Sequence, residues 1–350
     1  MDSIRAIYSS LHSQTSTLSA FTLYFALTVS LVSISTTWFI SHKKHFQPQG
    51  KHCYIGGGSE GLGLSLAYQL AERGAHVTII SRSEAKLQKA LAEIETHRQS
   101  PSQVFRYFSC DLTSSSDAAE TLHKACADHP SGPAPDFVFA CAGGSVPGLF
   151  TDMDADKHWD CMEWNFRTCL NTVHEAVRAM KEAQKEGGKV VLAASVLAMM
   201  SFYGYSSYSP SKYAIRGLAE ALRSELQAYG ISTHLFLPAT IYSPGYEAEM
   251  RTKPEITKRI EAGDEGKMPD DVAKEMITGL ERNDFYITYE FAGHMLRNSR
   301  AITPCNNILS DTFWQVIGTI AFPVWRYMGP DAEVRQEAKR LRAERQGKTA

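Results

Sequence analysis

Residues 51–80 constrain the fold of this chain more than any other stretch. Cys53-Tyr54-Ile55 is a short apolar run, and Gly56-Gly57-Gly58-Ser59-Glu60-Gly61-Leu62-Gly63 follows it. Leu62, Leu66, Leu70 and Ala71 then recur at helical spacing up to Arg73-Gly74, and His76-Val77-Thr78-Ile79-Ile80 is a second apolar run. Strand, turn, helix and strand in so short a length form a βαβ unit, two parallel strands with the helix across one face. Glycines at 57, 61 and 63 let the backbone come close to an anion. The N-terminus of the following helix presents free N–H groups and the positive end of its dipole. A dinucleotide pyrophosphate has the matching charge, so Gly57, Ser59, Glu60, Gly61, Leu62 and Gly63 are candidates for holding it.

The alternation continues down the chain. Val104–Cys110 leads to Asp111-Leu112, and Phe137–Cys141 leads to Ala142-Gly143. A predicted helix over 158–184 precedes a strand at 189–194; another over 206–228 precedes Thr233–Leu237, which Pro238 closes. Strands alternating with helices predict an α/β fold, a Rossmann-like doubly wound parallel sheet. Ligands of such sheets bind beyond the carboxyl ends of the strands, where Arg82, Asp111, Leu112, Ala142, Gly143, Ser195 and Pro238 all fall. Arg82 stands where a carboxylate would bond the ribose hydroxyl of NAD. A guanidinium pairs instead with a 2′-phosphate, so the expected cofactor is NADPH.

Tyr208-Ser209-Pro210-Ser211-Lys212 places a phenol and an ammonium four residues apart. If a helix opens there, both lie on one face, and a proline suits its first turn. A free phenol titrates near ~10. A neighbouring ammonium favours the phenolate and is expected to bring Tyr208 toward working pH. Of the 15 tyrosines, only Tyr208 has a lysine four residues on. Ser195, at the end of the apolar run Lys189–Ala194, can hydrogen-bond a carbonyl oxygen beside that tyrosine. Together with a dinucleotide turn, these groups describe reduction of a carbonyl.

A net charge of −2 offers no surface for nucleic acid. The seven cysteines, at 53, 110, 126, 141, 161, 169 and 305, form no Cys-x-x-Cys and no ligand-like pairing with histidine. Reduced thiols, with no disulfide framework and no metal site, are expected. Residues 18–40 carry no charge and are long enough to cross a hydrocarbon core of roughly 30 Å. Lys43-Lys44 would keep the side that follows in the cytoplasm. The expected layout is an N-terminal flank (1–17), a transmembrane anchor (18–40) and a linker (41–50). A dinucleotide-binding domain (51–295) follows, with a lid at about 240–265, then an apolar membrane-associated segment (296–330) and a charged tail (331–350). Phe313–Trp325, interrupted by Pro323, reads as an interfacial or re-entrant segment, with a full span as the alternative.

From about residue 50 to 290, the Gly-x-x-x-Gly-x-Gly spacing, Asp111-Leu112, Asn165, Ser195 and Tyr208-x-x-x-Lys212 resemble the short-chain dehydrogenase/reductases. The resemblance implies a catalytic tetrad of Asn165, Ser195, Tyr208 and Lys212, with Asn165 holding a relay water. It also implies that Asp111 binds the adenine amino group and that Tyr208 and Lys212 touch the cofactor. Ala140-Cys141-Ala142-Gly143 departs from the family's Asn-Asn-Ala-Gly, and Pro238-Ala239 from its common Pro-Gly. Within the family, Tyr208–Leu222 and Thr240–Pro254 are similar to the 3-ketodihydrosphingosine reductases. That similarity implies reduction of 3-ketosphinganine, a long-chain lipid ketone, at the endoplasmic reticulum membrane with the catalytic domain facing the cytosol. It leaves a homo-oligomer open. A membrane-bound reductase of a steroid or retinoid carbonyl is the alternative; a non-enzymatic dinucleotide scaffold is disfavoured because all four catalytic positions are filled. For such a substrate, Ile241, Tyr242, Tyr246 and Met250 are the expected apolar wall, and Glu247 or Glu249 the expected counter-ion for its ammonium.

Overall fold

The computed structural model describes residues 45–298 and 306–329, with residues 332, 333, 336 and 340. Seven strands form one sheet: β1 (His52–Gly56), β2 (His76–Ser81), β3 (Phe105–Ser109), β4 (Phe137–Ala140), β5 (Lys189–Ala193), β6 (Ser232–Phe236) and β7 (Tyr286–Ile287). Their order is β3-β2-β1-β4-β5-β6-β7 and every pairing is parallel. Strand order therefore reverses between β1 and β4, which opens a crevice at their carboxyl ends. Both faces of the sheet are covered, as a parallel sheet requires. Within β1 and β4, alternate residues serve opposite cores: Tyr54, Val138 and Ala140 pack on one side, Cys53, Ile55, Phe137 and Phe139 on the other. The doubly wound sheet foreseen from the sequence is present, with β7 added at one edge.

Two helices differ from the sequence reading. The segment expected as one helix over 158–184 runs as Ala155–Cys161, a π-helical turn at Met162–Arg167, and Thr168–Glu182. The apolar C-terminal stretch is a single helix, Ile308–Met328, that continues through Pro323. Among the described residues no helix is long and apolar enough to cross a membrane. The expected anchor at 18–40 and Lys43-Lys44 lie outside the described residues. A buried ion pair, Arg297 Nη2 to Asp311 Oδ1 at 2.8 Å, ties Ile308–Met328 to the preceding helix Phe291–Asn298. The six described cysteines are free thiols, and five of them are buried.

At the end of the sheet away from the crevice, three histidines are buried together. The His52 and His129 rings stack at 3.8 Å between centroids, and His76 meets His129 edge-on at 5.2 Å. Burial drives His129 down to about 4, helped by repulsion from His76, Arg106 and Lys185, although Asp136 opposes the shift. Burial also holds His52 well below its ordinary value. The native state thus keeps these rings neutral, whereas the unfolded chain takes up protons near pH ~6.5. Their contribution to stability is complete above that pH and is lost as pH falls toward the folded values. Melting temperature should drop between pH 7.5 and 5, by an amount equivalent to roughly 1 kcal/mol or more from His129 alone. His129→Gln should flatten that slope; an unchanged slope would remove His129 as its source.

Candidate active site

A cavity of about 500 Å³ occupies the crevice. One wall is the turn between β1 and helix Gly61–Glu72. Gly57 sits at φ +83°, and a Cβ there would come within 2.6 Å of the Ala142 nitrogen, so only glycine fits. Its N–H donates to Ile80 O at 2.8 Å, pinning the turn to the end of β2. Glu60 occupies the cap position of the helix but makes no capping bond. Its carboxylate pairs instead with Lys86 Nζ at 2.7 Å. The first N–H groups of the helix are thereby left to face the cavity, the chemistry an anionic diphosphate needs. The structure fits a dinucleotide here.

Every residue assigned to the cofactor from sequence lines this cavity: Gly57, Ser59, Glu60, Gly61, Leu62, Gly63, Arg82, Asp111, Leu112, Ala142, Gly143, Tyr208, Lys212 and Pro238. Arg82 is exposed at the rim, and Lys86 stands beside it as a second cation that the sequence reading missed. Asp111 accepts from Thr113 N at 3.0 Å and Thr113 Oγ1 at 2.8 Å. Those bonds, with the Arg82 charge, hold its carboxyl below the usual range.

Ser195 and Tyr208 both line the cavity, and the Ser195 hydroxyl acts on the Tyr208 phenol. Ser195 lies just beyond β5, and its Oγ also accepts from Leu197 N at 3.1 Å. Tyr208 and Lys212 stand in the first turns of helix Tyr208–Glu225, on one face as their spacing requires. Lys212 Nζ is 5.4 Å from the Tyr208 ring centroid and donates to Ala193 O at 3.2 Å. Burial pushes Lys212 down to about 8.

The expected lowering of Tyr208 is not found. Burial raises its phenol well above the ordinary value, the Glu249 charge raises it further, and the Ser195 bond offsets only part of this. The group is therefore held as a neutral proton donor. Asn165 stands behind the cavity. It is fully buried in the π-helical turn and does not line the cavity. Its Nδ2 donates to Gly144 O and Cys161 O, both at 2.9 Å, and its Oδ1 accepts from Gly144 N at 3.1 Å. Both amide donors are spent on backbone, so the side chain braces the loop after β4.

Beyond Tyr208 the cavity runs under helix Pro244–Thr252 to Glu261, the C-terminal cap of helix Glu255–Ile260. Ile241 and Tyr246 line it, whereas Tyr242 and Met250 do not. Glu249 lines it; Glu247 is exposed outside, which corrects the expectation that either could serve there. Phe202, Tyr205, Glu261 and Asp264 were not foreseen as wall residues. Lys253 bonds Glu249 and Glu261 at 2.8 and 2.6 Å; the first is an i,i+4 pair, and the second joins two short helices, which no sequence periodicity reveals.

Residues 51–254 match the short chain dehydrogenase family. The chain belongs to that family. The sequence is 40% identical over 329 residues to the 3-ketodihydrosphingosine reductase TSC10 of Cryptococcus neoformans, covering 92% of this chain and 97% of the relative. It is 32% identical to a 3-dehydrosphinganine reductase of Danio rerio over 253 residues, 72% of this chain and 75% of that one. A short-chain type dehydrogenase/reductase from Mycobacterium ulcerans superposes with TM-score 0.59 at 24% identity, covering 67% of this chain and 84% of its own. A short-chain dehydrogenase from Sphingobium yanoikuyae, solved in complex with NADPH, gives 0.58 at 18% identity over 68% and 87%. These two superpositions concern the fold. Membership makes this short-chain dehydrogenase an oxidoreductase that uses a nicotinamide dinucleotide.

Proposed function

We propose that this short-chain dehydrogenase reduces 3-ketosphinganine to sphinganine with NADPH. The observation that carries the reading is similarity to 3-ketodihydrosphingosine reductases along nearly the whole chain, not merely the dinucleotide half. The bound dinucleotide supplies the hydride. Tyr208 gives its phenolic proton to the carbonyl oxygen as that oxygen gains charge, and Ser195 donates a hydrogen bond to the same oxygen. Hydride on carbon and proton on oxygen complete the alcohol. Lys212, held behind the tyrosine, orients it and the cofactor ribose. Asn165 keeps the loop after β4 in place against the cofactor.

NADPH is the proposed cofactor because Arg82 and Lys86 both stand at the adenosine end of the cavity. Microsomes carrying the chain, assayed with 3-ketosphinganine, a 3-ketosteroid and retinal under NADPH or NADH, test the whole reading. Activity on the steroid or retinal but not on 3-ketosphinganine would overturn it. In the same panel Arg82→Ala should weaken NADPH by about tenfold more than NADH, since only NADPH presents the 2′-phosphate. Equal losses would leave Arg82 as a surface charge.

The proposed setting is the endoplasmic reticulum membrane, anchored through residues 18–40 with the catalytic domain in the cytosol. Support comes from the C-terminal helix. Leu309, Phe313, Val316, Ile320 and Val324 recur at spacings of four, three, four and four, and all are more than half exposed. Such a stripe suits a bilayer surface. Deleting the helix would strip Asp311 from buried Arg297, so substitution is the cleaner test. Val316→Asp with Ile320→Asp should raise KM for the long-chain ketone severalfold in vesicles and leave a short soluble ketone unaffected. Parallel changes for both ketones would exclude a role for the stripe in substrate entry.

A further inference from the structure

The cavity is electrically polarised along its length. Arg82 and Lys86 line the adenosine end; past Ser195 and Tyr208 the charged lining is Glu249, Glu261 and Asp264. Lys253 pairs with both glutamates, but its side chain is only 3% exposed and does not line the cavity. The cation thus sits behind the carboxylates, and the carboxylates face the space. Tyr205 OH approaches Glu249 Oε1 at 2.9 Å and Glu261 Oε1 at 2.6 Å. One phenolic proton serves one carboxylate at a time, so a carboxylate lone pair is always left over.

Counting charge makes the consequence plain. Glu249, Glu261 and Asp264 against the single Lys253 ammonium leave surplus negative charge in this wall, which is costly unless a further cation arrives. Glu261 is raised by burial despite its bonds to Lys253 and Tyr205. Burial works against the Lys253 charge too, and the two carboxylates overcome it. The surplus also lies close to the reacting position. The Tyr205 and Tyr208 rings are 6.1 Å apart, and the Glu249 charge is felt at the Tyr208 phenol.

We propose that Glu249 and Glu261, held by Lys253 and Tyr205, seat the ammonium group of an α-amino ketone and select that class over neutral ketones. The inference rests on the reductase reading above and names the residues that would give it specificity. With the carbonyl oxygen between Ser195 and Tyr208, an ammonium on the adjacent carbon reaches toward the carboxylate pair while the acyl chain follows Ile241 and Tyr246. A lid clamp with no contact to ligand would use the same four residues, and the two roles separate by measurement.

Wild type, Glu249→Gln and Glu261→Gln should be assayed with a long-chain 2-amino-1-hydroxy-3-ketone and with the same ketone carrying hydrogen in place of the amino group. The ratio of kcat/KM for amino over deaminated ketone should fall about tenfold or more in each variant, the size of losing a charge-assisted bond. Equal losses on both ketones would overturn the proposal and leave the cluster as a clamp, with the reductase reading intact. Failure of wild type to reduce the amino ketone at all would overturn that reading, and this proposal with it. A measurement needing no variant guards against misfolding. A long-chain primary amine should compete with substrate about tenfold more strongly than the alcohol of equal length; equal inhibition would also overturn the proposal.

Discussion

Replacing Tyr208 by phenylalanine should lower turnover by a factor of about 10² or more while changing dinucleotide affinity only a few-fold. The substitution removes one oxygen and leaves the ring to pack against Tyr205 at 6.1 Å between centroids. Ser195 keeps the bond from Leu197 N at 3.1 Å, so its hydroxyl stays in place. What vanishes is the proton donor. The phenol is protonated at neutral pH and so carries the proton that the reductive direction needs. Ser195→Ala should cost less, since it removes a hydrogen bond to the developing charge but not the proton itself. A Tyr208→Phe enzyme with near-normal kcat would end the assignment of general acid.

Much of this site was legible because it depends on local rules. A strand, a glycine turn and a helix within residues 51–80 leave few alternatives, and the period-2 split of Tyr54 from Cys53 and Ile55 follows from both faces being covered. Residues beyond strand ends gather at the crevice by topology alone, so Arg82, Asp111, Gly143, Ser195 and Pro238 meet in one cavity. Features set by tertiary surroundings were not legible. The spacing of Tyr208 and Lys212 gave their shared face correctly but not the phenol's ionisation, which burial and a glutamate 41 residues away decide. Asn165 was found by its place in the chain, yet its amide turned out to be occupied by Gly144 and Cys161 in a π-helical turn. The Glu249–Lys253–Glu261 cluster joins two short helices and a tyrosine from a third segment. Only Lys253, four residues from Glu249, hinted at it. The two-residue strand β7 exists because β6 offers it an edge, a context no pattern of two residues can carry.

The second large effect is expected at Gly63. A Cβ there would fall on the carbonyl oxygen of Gly57, well inside van der Waals contact, and 2.9 Å from its carbonyl carbon. Every neighbour it meets is backbone, so no side chain can swing aside. The turn cannot retreat either, since Gly57 is bonded to Ile80 and abuts Ala142. Gly63→Ala must therefore push the helix away from the turn, costing about 1–3 kcal/mol of stability by overpacking. The same shift moves the free N–H groups off the diphosphate, and dinucleotide affinity should fall by about 10² or more. Gly61→Ala provides the contrast. Its φ of +57° imposes a left-handed cost of about 1–2 kcal/mol on any side chain, but its nearest neighbour, Ser243 Cβ, is 3.4 Å away. Both variants should melt lower, and only Gly63→Ala should lose most of its affinity in a fluorescence titration with NADPH. If Gly63→Ala instead binds like wild type, the diphosphate does not sit on this turn, and the assignment of residues 57–63 to the cofactor fails.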